Sequence, residues 1–105
     1  MPNIKFNYLY RDSGNYKVFN SVIFKNDQSI SLKELDELIK SKLIYDEWFY
    51  AEQWKMPELF NDYFDFKTDP NWHEFESVEY ADKPANSVIS LKEFMDIVGN
   101  TKWSD

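Results

Sequence analysis

The amino-acid sequence predicts an α+β fold in which a mostly antiparallel four-stranded sheet carries two helices on one face. Three observations lead there. The run Ile30-Ser31-Leu32-Lys33-Glu34 returns as Ile89-Ser90-Leu91-Lys92-Glu93, and each copy opens an apolar stripe at helical spacing. Two stretches rich in aromatic and β-branched residues precede each copy, the composition of strands. The stretches also match in register, with Asn15, Phe19, Ser21 and Val22 meeting Asn71, Phe75, Ser77 and Val78. The chain therefore reads as a duplicated strand-strand-helix unit, about 4–43 and 59–99, within a single domain, 1–105. An approximate two-fold axis is expected between the halves, and an aromatic segment, 44–58, joins them.

The first strand is expected at residues 4–10, where Ile4, Phe6, Tyr8 and Tyr10 share one phase of a strict alternation and form its buried face. Asp12-Ser13-Gly14-Asn15 turns the chain, with Gly14 or Asn15 taking the positive φ of a tight hairpin. Residues 16–25 return as the second strand. Ser31 then caps a helix, Glu34 completes a capping box, and Ile30 staples onto Leu35. Leu32, Leu35, Leu38, Ile39 and Leu43 form its apolar stripe. Segment 44–58 has no counterpart in the second copy and reads either as a short helix stopped before Pro57 or as a folded loop over the sheet. Burying each of its aromatics is worth roughly 2 to 3 kcal/mol, so it reads either as a lid closing the core or as a segment part of which is a partner-binding surface. A third strand is expected from Leu59 to Phe66, with Phe60, Phe64 and Phe66 buried and Asp62 irregular. Thr68-Asp69-Pro70-Asn71 forms the second hairpin turn, and residues 72–81 form an edge or exposed fourth strand with carboxylates on both phases. Ser90, Glu93, Ile89 and Phe94 repeat the capping box and staple, Gly99-Asn100 closes the helix, and Trp103 follows in a tail.

The chain has 105 residues, no cysteine and a net charge of -7, so disulfides, thiolate chemistry and cysteine zinc sites are excluded. No apolar run resembles a signal peptide or a membrane span, and a cytoplasmic location is expected. Residues 1–56 carry eight acids and eight bases, whereas residues 57–105 carry eleven acids and four bases. Such a field disfavours nucleic acid and anionic membranes as direct partners and favours a basic protein.

Few residues suggest catalysis. There is no glycine-rich phosphate loop or nucleophile motif, His73 is expected at the surface, and Asp62, Asp65 and Asp69 lack the spacing of a calcium loop. Glu74 and Glu76 share a strand phase at about 7 Å, a spacing compatible with acid and base work, but no partner group accompanies them. No catalytic residue, cofactor or metal ligand is therefore assigned. The expected partner-binding residues are the acids of the second hairpin, Asp62, Asp65, Asp69, Glu74, Glu76, Glu79 and Asp82, with Trp48, Phe49 and Trp54 as aromatic anchors.

Lys5-Phe6-Asn7-Tyr8-Leu9-Tyr10-Arg11-Asp12, Gly14-Asn15-Tyr16-Lys17 and Trp72-His73-Glu74-Phe75-Glu76-Ser77 resemble a set of small uncharacterised bacterial proteins found also on mobile elements. That resemblance spans most of the chain and implies no activity, cofactor or catalytic residue. The expectation is a non-enzymatic module that inhibits or regulates a basic, nucleic-acid-binding partner, as a nucleic-acid mimic or anti-defence protein. Two alternatives stand beside it. One is a small-molecule or nucleotide sponge with a pocket between the halves lined by Trp48, Trp54 and Trp72. The other is a structural protein that assembles as a homodimer rather than a monomer through segment 44–58.

Overall fold

A computed structural model describes residues 2–60, 64–65 and 67–102. Its elements run β1 (Asn3–Arg11), β2 (Lys17–Phe24), α1 (Leu32–Ser41), β3 (Trp48–Phe49), β4 (His73–Ala81) and α2 (Leu91–Gly99). The four strands form one curled antiparallel sheet in the order β2-β1-β4-β3. β1 is central because its alternation supplies the largest apolar face. Ile4, Phe6, Tyr8 and Tyr10 are all buried, as the sequence predicts. Asn7 and Leu9, on the opposite phase, are also nearly covered, since a strand paired on both sides is shielded by its neighbours as well.

Both helices begin where the capping boxes place them. Ser31 Oγ accepts from the Glu34 N–H and Ser90 Oγ accepts from the Glu93 N–H, each at 3.1 Å, satisfying donors that the first turn leaves free. Leu35 and Ile39 of α1 and Leu91, Phe94 and Val98 of α2 pack on the Ile4, Phe6 and Tyr8 face, so the two helices share one side of the sheet. Ile30 and Ile89 lie against the same core as the staples require. At the first hairpin Asn15 takes the positive φ, 67°, and Gly14 does not. The last helix closes at Asn100, whose side-chain amide donates to the Asp96 carbonyl at 2.8 Å.

Three expectations are corrected. The strand foreseen at 59–66 is absent from its described residues, 59–60 and 64–65, and the third strand of the sheet is Trp48–Phe49 instead. Aromatic alternation at Phe60 and Phe64 reflects packing rather than strand pairing: Phe60 meets Tyr10 edge-on at 5.0 Å from an irregular chain. Asp62, Phe66 and Trp103 lie outside the described residues. The expected two-fold axis has no place in this sheet order, because it would have to exchange β1 with β4, whereas the duplication equates β1 with 59–66. Among the described residues the likeness between the units is seen in β2 and β4 and in α1 and α2.

Segment 44–58 is neither a helix nor a simple loop. Tyr45 and Asp46 both take positive φ, a tight reversal that pairs Ile44 with Trp48 and delivers β3 to β4. One helical turn follows and ends with Lys55 at φ 57°, where the Met56 N–H returns to the Ala51 carbonyl and the Lys55 N–H to the Glu52 carbonyl. That turn drives Trp54 into the core. Its ring stacks on Phe49 at 4.7 Å, and its indole N–H donates to Thr101 Oγ1 at 2.8 Å.

Candidate functional site

β4 decides where the acidic residues go. Against β1, Val78 faces Phe6 and Ser77 faces Asn7, yet Phe75 faces Tyr8, so Glu76 is an extra residue without a partner. A bulge of this kind exchanges the two phases of a strand. Below it His73 and Phe75 point to the core; above it Val78 and Tyr80 take that side, while Glu74, Ser77 and Glu79 share the outer face. Carboxylates on both phases of the sequence thus become carboxylates on one face of the sheet. The bulge also separates Glu74 from Glu76, which removes the paired-carboxylate geometry.

The predicted acids have different fates. Glu74 takes the fork of Arg11, with Arg11 Nε donating to Oε2 at 2.7 Å and Nη2 to Oε1 at 3.3 Å. Glu79 Oε2 accepts from Asn7 Nδ2 at 2.9 Å, within a polar strip that continues to Ser77 and Ser21. Asp69 accepts the Ser13 hydroxyl at 2.6 Å, the Ser13 N–H at 3.0 Å and the Asp65 N–H at 2.9 Å, which holds its carboxyl below the usual range. Asp65 in turn accepts from the Lys67 N–H, so Asp65 and Asp69 tie the 65–69 turn to the first hairpin. Glu76 and Asp82 stand exposed.

The aromatic anchors divide as well. Phe49 and Trp54 are wholly buried, and a side chain at 0% exposure presents nothing to a partner, so their expected surface role is corrected. Trp48 remains partly exposed and lies 5.2 Å from the Trp72 ring. These two rings form one wall of a cleft of about 1050 Å³ at the end of the sheet, where the β1–β2 turn, β3, Glu58, Phe60, Phe64 and residues 68–72 meet. Among the described residues six carboxylates, those of Asp12, Glu47, Glu52, Glu58, Asp69 and Glu74, line it with a single guanidinium, that of Arg11. Among the described residues Glu47, Glu52 and Glu58 have no ion-pair partner. Nor do any three carboxylate or imidazole groups among the described residues come together as a metal ligand set, so the negative charge is spread around the rim. Trp54 is not part of this cleft, contrary to the pocket expected between Trp48, Trp54 and Trp72.

His73 is the other correction. Expected at the surface, it is 0% exposed, among the rings of Tyr8, Tyr10, Phe49 and Phe60. Its Nε2 accepts the Leu59 N–H at 2.9 Å, its Nδ1 has no partner, and burial pushes its pKa down to about 4, so the ring is neutral at pH 7. Tyr8 Oη donates to the Pro57 carbonyl and Tyr10 Oη to the Pro70 carbonyl, each at 2.7 Å. Burial raises both phenols, Tyr10 to about 12. Together these three side chains fix the chain that borders the cleft.

Sequence reasoning named Trp48, Asp69 and Glu74 as partner-binding residues and set Trp72 beside Trp48 in the alternative pocket, but missed Asp12, Arg11, Glu47, Glu52 and Glu58 as neighbours in one site. The available signal was the interleaving of Glu47 and Glu52 with Trp48 and Tyr50. It was outweighed by the greater acid content of the second half. No family model, no curated protein and no solved structure matches the chain.

Proposed function

We propose that the chain is a non-enzymatic binding module that regulates or inhibits a basic protein, and that it receives this partner in the aromatic-walled acidic cleft rather than on the outer hairpin face. The lining carries the reading: among the described residues six carboxylates stand against one guanidinium, beside two adjacent indoles. A lysine or arginine side chain entering this cleft gains charge attraction and a contact with an indole face worth about 0.5 to 2 kcal/mol. The acids steer the approach and the rings supply the desolvated anchor. A partner that binds nucleic acid carries basic groups of this kind, and the resemblance to small bacterial proteins of mobile elements accords with an inhibitory role by analogy alone.

A small organic cation is the second reading, favoured by the cleft's volume and by the Trp48–Trp72 pair. The acidic lining opposes a phosphate-bearing nucleotide, so the small-ligand alternative narrows to cations.

The test is a titration of the full chain with an arginine-rich peptide and with tetramethylammonium, read by tryptophan fluorescence at two salt concentrations. Glu52→Lys with Glu58→Lys is expected to weaken peptide binding by about tenfold or more, and Glu76→Lys with Asp82→Lys to change it little. Equal loss from both pairs would return the site to the outer hairpin. Tight binding of tetramethylammonium with weak binding of the peptide would favour the small-cation reading.

A further inference from the structure

The far edge of the sheet offers a surface independent of the cleft, because β2 has a strand neighbour on one side only among the described residues. One position fixes the direction of its backbone. Ile23 donates its N–H to Asn86 Oδ1 at 2.8 Å, and its carbonyl accepts the N–H groups of Asn86 and Ser87 at 2.9 and 3.1 Å. These bonds lie on the side away from β1. Backbone groups alternate sides along a strand, and the β1–β2 register runs unbroken from Phe24 to Lys17. The N–H and C=O groups of Ser21, Phe19 and Lys17 therefore point the same way as those of Ile23. No backbone group of a described residue meets them there. Residues 86–87 thus occupy the edge at Ile23 and leave the positions beyond it open.

Two grooves flank this open stretch and share Asn20, Ser21 and Asn86. On the outer face, Lys5, Phe19 and Lys83 bound a groove of about 420 Å³. On the core side, Lys55, Met56, Pro57 and Val88 bound one of about 440 Å³. Among the described residues three lysines and no carboxylate line the pair, in a chain whose net charge is -7. Apolar side chains are exposed at the same place, Phe19 at 61% and Val88 at 87%. Edge strands are ordinarily covered or blunted by charge, and this one is bordered by apolar and basic groups together.

We propose that the open edge of β2 takes up an extended acidic segment of another polypeptide as a fifth strand. Such a strand sends alternate side chains to opposite faces of the sheet. Carboxylates on one phase meet Lys5 and Lys83; apolar side chains on the other meet Met56, Pro57 and Val88, with Lys55 beside them. The occupant's sequence therefore alternates acidic and apolar residues. A second copy of this chain fits poorly, because residues 15–26 carry Lys17 and Lys25 and no acid, so a second β2 edge brings no carboxylate to Lys5 and Lys83.

The test is an NMR titration of the isotope-labelled full chain with a short synthetic peptide of alternating glutamate and valine, beside a peptide of the same composition in which the two are blocked. The alternating peptide is expected to slow amide exchange at Lys17, Phe19 and Ser21, and the blocked peptide is not. Lys5→Glu with Lys83→Glu is expected to weaken binding by about tenfold. Phe19→Pro removes an edge-directed N–H while leaving the β1–β2 ladder whole, and is expected to abolish binding that Phe19→Ala retains in large part. If Phe19→Pro does not fold, the lysine variant decides. Equal binding of both peptides, no protection at millimolar peptide, or unchanged affinity in the lysine variant would overturn the proposal. So would protection of these amides in a free protein that sediments as a dimer, which would assign the edge to a second copy.

Discussion

At His73 the surroundings of a single side chain set its chemistry. The ring is neutral in the fold, with its pKa lowered by burial from 6.5 to about 4. Above pH 6.5 it is neutral in the unfolded chain too and adds nothing to the pH dependence. Below that, the unfolded chain takes up a proton that the folded ring refuses, so stability falls with pH until the folded value is reached, by roughly 2 kcal/mol between pH 7 and pH 5. Urea unfolding of the parent and of His73→Gln at those two pH values is expected to show the larger acid loss in the parent. An equal loss in both would remove His73 as its source. The helix caps make a second prediction at this scale. Ser31→Ala and Ser90→Ala are each expected to cost about 1 kcal/mol in chemical denaturation, because each leaves a first-turn N–H without its partner. The two cap positions were legible in the sequence, since a capping box is a local bond between residues three apart. The burial of His73 was not, because it depends on which way β4 is phased.

Among the elements, β3 with the turn behind it has the largest energetic consequence for its size. Two strand residues and one helical turn place Phe49, Ala51, Trp54 and Met56 in the core. Trp54→Ala is expected to destabilise by about 3 to 5 kcal/mol, since it opens a cavity between Phe49, Phe6 and Phe94 and strips Thr101 of a bond. Trp48→Ala, at the cleft wall, is expected to cost about 1 kcal/mol or less while reducing binding of the arginine-rich peptide. Equal destabilisation by both would contradict the division of this segment into core and surface. Composition did indicate a lid, because so many aromatics in fifteen residues cannot all stay in water without cost. It did not show that Tyr45 would be exposed and Trp48 and Tyr50 partly so, for that follows from the reversal at Tyr45-Asp46 and the left-handed Lys55. The bulge at Glu76 belongs to the same class: one unpaired residue reassigns every side chain of β4 beyond it.

For the molecule as a whole, charge is distributed by position rather than by half. Acids gather around one end of the sheet, and the free edge of β2 is left to lysines. With a net charge of -7 and unpaired carboxylates in the cleft, screening is expected to stabilise the fold, so the melting temperature should rise between about 20 and 300 mM sodium chloride. A fall would mean that ion pairs such as Arg11–Glu74 outweigh the self-repulsion. No helix among the described residues is long and apolar enough to cross a membrane. By itself the sequence determined the α+β class, the first strand with its buried face, the first hairpin, both helices with their caps and the absence of thiol chemistry. Each of these rests on periodicity, or on bonds between residues near in the chain. Only the tertiary structure decided the third strand, the phase of β4, the burial of His73, Phe49 and Trp54, and the grouping of Asp12, Glu47, Glu58 and Glu74 around one cleft. These depend on contacts between residues far apart in the chain, where one bulge or one positive φ redirects everything that follows.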